Sequence, residues 1–361
     1  MFQRIQLLFM MVIVLLLSAC ANEEDMDPTD EKEELVARTK EDVSIPKVIA
    51  ENLQEPWEIA FVGERIFVSE RTGNIVEIRE DKVQRKPVRL NKNLSNQPEA
   101  GLLGIVFPKD FENVAFAYYS YQRDGTYFQR VITIEETEKE WAESEILLDH
   151  IPGGQFHQGG RLKIGPDEKL YVTTGDATNP TLSQDLDSLA GKILRMNVDG
   201  TIPDDNPFSN SYVYSYGHRN PQGLAWDSNG RLFASEHGAN AHDEINQIKA
   251  GANYGWPIIQ GSEEKDGMIS PVTHSGEETW APSGMDFFYD SFYFASLRGE
   301  GVRKYDPETE RVNLVISEVG RIRDVDITEA GIYVITNNTD GRGVPSDMDD
   351  RLLFFEWNPE S

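Results

Sequence analysis

Cysteine is almost absent from this chain, occurring once, at Cys20. No disulfide can form within it, so the folded part must be held by its core alone. Histidine is nearly as scarce, with six in 361 residues. Positive charge is also short: 34 Lys and Arg stand against 62 Asp and Glu, a formal net charge of −28. A field of that sign repels nucleic acid and anionic lipid surfaces, which argues against both as partners. It also means that arginines clustered at one place point to an anionic ligand. No Gly-rich dinucleotide loop follows a strand and opens a helix, so a nicotinamide cofactor is not expected. A nucleophile elbow and a zinc-type His/Cys set are missing too.

The long apolar run, "LLFMMVIVLLL" (Leu7 to Leu17), is too short and too terminal for a spanning helix. It follows Arg4 and leads into Leu17-Ser18-Ala19-Cys20, the pattern of a bacterial lipoprotein signal. Residues 1–19 are therefore predicted to be a signal peptide, with lipidation at Cys20 and an extracytoplasmic, membrane-anchored mature protein. The alternative is an unrelated cysteine after a secretory segment. Residues 20–44 are acidic and free of aromatics, as expected of a flexible tether. The folded domain is placed at 45–361, long enough to bury a large core.

What recurs in that domain is a short aromatic and β-branched strand, a Gly/Asn/Asp turn and another short strand. Six such units are visible, beginning with "ERIFVSERTGNIVEI" (64–78) and ending with "GIYVITNNTDGRG" and "RLLFFEW". Their spacing suits four-stranded blades and predicts an all-β, six-bladed β-propeller of antiparallel blades. The early strand in "PKVIAENL" (46–53) is placed in the last blade, closing the ring. A β-sandwich is the competing architecture, and it would not call for six similar units.

Five stretches break the strand pattern with Gly, Pro and charge: "PEAGLLGIVFPKDF" (98–111), "FHQGGRL" (156–162), "YGHRNPQGLAW" (216–226), "SEHGANAHDEINQIKAGANYGWP" (235–257) and "GRIRDV" (320–325). His157 sits before Gly159-Gly160, which would let the backbone approach a flat ring closely. A lone histidine near a loop usually has a structural role, yet imidazole suits proton removal near neutral pH. Asp176, ending "TTGDA", could be a turn residue after Gly175 or an acidic partner of the histidine. Arg321 and Arg323 lie two apart, so on a strand both side chains point to one face.

These stretches, in this order over nearly all of residues 46 to 357, resemble the soluble quinoprotein glucose and aldose sugar dehydrogenases, most closely the aldose sugar dehydrogenase branch. That resemblance implies a six-bladed propeller that uses pyrroloquinoline quinone (PQQ) and calcium to oxidise aldoses at the anomeric carbon to lactones. It makes His157 the general base, Asp176 its orienting partner and Arg219 the cation beside the quinone oxygen. It assigns Glu99, Arg219, Asn220, Ala281, Pro282, Ser283, Arg298, Arg321 and Arg323 to the cofactor pocket, with Trp280 as a further contact. The carbonyls of Gly238 and Ala239 would hold the catalytic calcium, and Glu244 and Tyr254 a second, structural one. Read alone, Glu244 is a solvated face residue.

Four positions depart from the family pattern. Arg298 stands where lysine is familiar, Glu99 where glutamine is, and Ala239 where proline is common. His237 replaces a polar residue and could reach the cofactor. Two other readings remain. One is a cell-surface propeller binding a glycan or protein without redox chemistry. The other is a calcium-dependent lactone hydrolase, which would leave the arginine pair of "GRIRDV" without a purpose. The expected partners are an aldose and an unidentified electron acceptor, with the chain a monomer or homodimer.

Overall fold

The computed structural model describes residues 45–80, 82–109 and 111–357. The expected signal peptide, Cys20 and the whole tether at 20–44 lie outside the described residues. Within them, every regular element is a strand except one 3-10 turn at Pro180–Ser183. Among the described residues no helix is long and apolar enough to cross a membrane.

The strands form four-stranded antiparallel meanders over 56–89, 102–152, 162–216, 221–274 and 282–316. A further sheet takes three strands from 322–356 and its fourth, Lys47–Ala50, from the start of the folded part. Lys47–Ala50 pairs antiparallel with Leu352–Glu356, with Val48 opposite Leu353, as the early apolar strand suggested. The first two meanders are joined at their outer edges by a short parallel pairing of Val88 with Trp141 and Arg89 with Ala142. Together those two form one eight-stranded sheet.

The first strand of each unit touches the first strand of the next. Pro56–Val62 meets Leu102–Val106, which meets Leu162–Ile164; Pro221–Trp226, Pro282–Phe288 and Ile322–Thr328 follow, and the last returns to Pro56–Val62. Apolar side chains fill the spaces between neighbouring units. Tyr171 and Ile193 pack on Leu224 and Leu232, and Ile59 and Val76 pack on Ile335 and Leu352. A sheet covered on both faces needs apolar residues at successive positions, so Leu170–Thr174 is buried throughout. Outermost strands have a free face and alternate, as the partly exposed Lys82–Arg89 does.

Because Lys47–Ala50 covers the edge of the last sheet, its loss should loosen the ring. A chain shortened to begin at Glu51 is expected to be less stable by about 2–4 kcal/mol, counting roughly 1 kcal/mol for each ladder bond lost. Thermal unfolding measures this; an unchanged melting temperature would show that the ring does not depend on this strand.

Candidate active site

Loops from five of the six units meet at one end of the ring around a cavity of about 430 Å³. His157 reaches it from the connection between Trp141–Pro152 and Leu162–Ile164. Its φ is 62°, a left-handed conformation that side-chain-bearing residues seldom adopt. Two polar contacts hold it there. The main-chain N–H donates to Glu99 Oε2 at 2.9 Å, and ring Nδ1 lies 2.7 Å from Asp176 Oδ1. With Nδ1–H given to the carboxylate, Nε2 carries the lone pair, which is the tautomer a base needs.

Asp176 is buried and itself fixed. Trp256 Nε1–H donates to Oδ2 at 2.9 Å and the Thr178 N–H donates to Oδ1 at 2.8 Å. The same Trp256 ring carries the Arg219 guanidinium at 5.4 Å. Gly159 and Gly160 serve a different purpose from the expected approach of a flat ring. A Cβ on Gly159 would lie 2.5 Å from the Thr173 carbonyl oxygen, and one on Gly160 would lie 2.6 Å from a Leu103 methyl. The glycines let the histidine loop press against its own sheet; the protein's own atoms fill the space.

Five arginines line the cavity: Arg219, Arg298, Arg321, Arg323 and Arg342. Arg321 and Arg323 do share one side, as their spacing predicted. Arg321 donates to the carbonyls of Asn337 and Leu297 and to Asp340 Oδ2. Arg323 is 2% exposed and lies over the Trp57 ring at 4.5 Å. Its Nε and Nη2 donate to Asn337 Oδ1 and its Nη1 to Gln222 Oε1, so neutral amides take all three nitrogens. Burial pulls the pKa of Arg219 and Arg321 below the usual arginine value, and that of Arg323 well below it. Arg219 Nε and His237 Nε2 are buried with no hydrogen-bond partner among the described residues. Burial also depresses the His237 pKa to about 4, keeping that ring neutral.

Asn220 lines the cavity while its Oδ1 accepts the Gly159 N–H at 3.0 Å. Gly238 and Ala239 are on the wall, as expected of carbonyl ligands to an ion. The 279–284 segment meets the cavity through Thr279 and Ala281. Pro282 and Ser283 lie behind it, buried, with the Ser283 carbonyl accepting from Ser235. Trp280 packs on Phe294 and under Arg303. Glu99 is on the wall, accepting from His157 and Arg342.

Glu244 and Tyr254 lie away from this cavity. Glu244 is no solvated face residue: it accepts from the Gly261 N–H at 2.8 Å and from Asn246. Burial and the neighbouring Glu236 carboxylate push its pKa up to about 8, the mark of an anion short of positive charge. The Tyr254 hydroxyl donates to the Gln247 carbonyl at 2.6 Å, and its ring stacks on His218.

Among the wall residues that sequence reading passed over, two are charged. Asp243 takes the Gly238 N–H on one oxygen and the Thr279 hydroxyl and the Trp280 and Ala281 N–H groups on the other. It thereby ties the two loops that bound the cavity; the signal was its place in "HDEIN". Arg342 had a fainter one, an arginine between glycines in "DGRG".

At one end of a closed ring of four-stranded units, a carboxylate-oriented histidine thus faces a wall of guanidinium groups. The chain matches the family model described as Glucose / Sorbosone dehydrogenase over residues 53–345, and it belongs to that family of sugar-oxidising enzymes. The PQQ-bound aldose sugar dehydrogenase of Streptomyces coelicolor superimposes with a TM-score of 0.81 and 36% identity, over 88% of this chain and 98% of that one. Quinoprotein glucose dehydrogenase B of Acinetobacter calcoaceticus is 35% identical over 64% of this chain and 56% of its own length. Aldose sugar dehydrogenase YliI of Escherichia coli is 28% identical over 82% of this chain and 90% of its own.

Proposed function

We propose that this chain is a six-bladed β-propeller quinoprotein that oxidises an aldose at its anomeric carbon to the lactone, using PQQ and calcium. The carrying observation is the Asp176–His157 pair on one wall of a cavity whose other walls present five guanidinium groups. The closed circuit of six first strands supports the blade count.

The donor set fits a planar tricarboxylate. Arg219, Asn220, Arg298, Arg321 and Arg323 would hold its rim, and bidentate guanidinium is the natural partner of carboxylate. Arg219 Nε has no hydrogen-bond partner among the described residues and Arg323 meets only amide oxygens, so both guanidinium groups suit an incoming carboxylate. When bound, PQQ supplies the ortho-quinone that accepts hydride from the sugar. His157 Nε2 takes the proton of the anomeric hydroxyl, and Asp176 stabilises the imidazolium so formed. Arg219, close to both Trp256 and Asp176, offers positive charge where negative charge builds up. The carbonyls of Gly238 and Ala239 would hold one calcium; Glu244 and Tyr254 would hold a second, placed to strengthen the fold. Electrons leave to an unidentified acceptor. Cys20 carries the lipid that tethers this domain outside the cell membrane.

The test is addition of PQQ and calcium to the purified protein, with dye reduction followed for a panel of aldoses. Turnover is expected only with both additions, and chelation is expected to remove it and lower the melting temperature. Failure to bind PQQ would sink the quinoprotein reading and leave a glycan- or protein-binding propeller.

A further inference from the structure

We propose that Glu99 and Arg342 form a latch that fixes the backbone of His157, which makes both of them positioning residues for the base. This rests on the reading of His157 as that base. His157 sits in an unfavourable left-handed conformation, in a loop, with its N–H donated to a side chain. The acceptor, Glu99 Oε2, belongs to a segment 58 residues earlier in the chain. The other oxygen, Oε1, accepts from Arg342 Nη1 at 3.1 Å across 243 residues. Arg342 in turn rests on Asp340, with Nη2 at 3.0 Å and Nε at 3.1 Å from Oδ2. The Asp340 side chain is completely buried and also takes Arg321 Nη2 at 3.1 Å.

The result is a chain of charge-assisted bonds from Arg321 through Asp340, Arg342 and Glu99 to the main chain of His157. It joins the 340–342 loop of the last unit, between Gly331–Thr336 and Leu352–Glu356, to the base loop. Each Glu99 oxygen already has a protein donor, one from the base loop and one from Arg342. The carboxylate stays ionised. Burial raises its pKa, but the His157 N–H and the Arg342 guanidinium hold it below the usual range. Arg71 and Arg219 face it as well. Glu99 is thus a fixed anion that grips the base loop.

Amide NMR of 15N-histidine-labelled, cofactor-free protein tests this, with the His157 amide identified by its loss in His157→Gln. The amide should report protonation of Glu99 at low pH. In Arg342→Gln that transition is expected to move up by about half a pH unit or more, because a cation facing the carboxylate is gone. Solvent exchange of the same amide should become several-fold faster. Glu99→Ala should remove the transition and speed exchange roughly tenfold or more, whereas Glu99→Gln, which keeps a carbonyl acceptor, should retain most of the protection. In the PQQ-loaded enzyme Arg342→Gln and Glu99→Ala should lower kcat several-fold with KM nearly constant. Arg342 is 43% exposed, so its replacement leaves no core hole. An unaltered His157 amide in Arg342→Gln would overturn the latch. So would a Glu99→Ala enzyme with raised KM and full kcat, the result for a sugar contact. Expected amide behaviour in a protein that never turns over would reject the dehydrogenase reading and leave the latch standing.

Discussion

Replacing His157 by alanine is expected to lower kcat by roughly 10²–10⁴-fold, the range usual for loss of a general base. The fold should survive, because the ring is a half-buried loop side chain and the core clusters between units do not include it. Cofactor affinity should change little, since the arginine wall is untouched. Asp176→Asn is the sharper companion. An amide in place of the carboxylate can offer N–H to Nδ1, turning the ring to the tautomer that presents N–H, not a lone pair, to the cavity. A loss of about 10²-fold or more is expected from that alone, as in other histidine–carboxylate pairs. Asp176 also accepts from Trp256 and Thr178, so a melting temperature within a few degrees of wild type is needed for the comparison. Steady-state kinetics at saturating PQQ and calcium decide the matter. A His157→Ala enzyme retaining more than about a tenth of kcat would remove His157 from the base role.

The second large effect has opposite signs on stability and on binding. Arg323 is a buried guanidinium whose three nitrogens meet neutral amide oxygens, and burial drives its pKa well down. A buried charge without a counter-ion costs a few kcal/mol, so it is tolerated for what it will meet. Arg323→Gln removes the charge and keeps an N–H donor for Asn337. The cofactor-free variant is therefore expected to melt about 2 °C or more above wild type. Its PQQ affinity is expected to fall by roughly 10²-fold or more, the usual loss when one partner of a buried, hydrogen-bonded ion pair is removed. The stabilisation that PQQ gives the wild-type protein should shrink accordingly. Calorimetry with and without PQQ measures both effects. A variant that is less stable yet binds PQQ normally would place Arg323 in the scaffold and outside the cofactor's reach.

Much of the site was legible because its motifs are local. The bend at His157 and the pair in "GRIRDV" need few neighbours to announce a loop and a shared strand face. Glu99, Asp243 and Arg342 were harder, because a charged residue in a loop is ordinarily solvated. Their importance comes from partners such as the one 243 residues away. The glycines after His157 were misread for a similar reason. Their requirement arises from Thr173 and Leu103, which only folding brings against them.

Sequence by itself determined the repeating strand units, the family, the pairing of His157 with Asp176 and most of the arginine wall. Each of these is written within a few adjacent residues, where strand periodicity and turn chemistry act. Tertiary structure alone decided that Glu99 is held by a main-chain N–H and an arginine, that Glu244 is half-buried beside Glu236, and that Arg323 meets only neutral amide oxygens. Those are properties of burial and of long-range charge pairing. They exist only once the ring has closed and brought residues from both ends of the chain around one cavity.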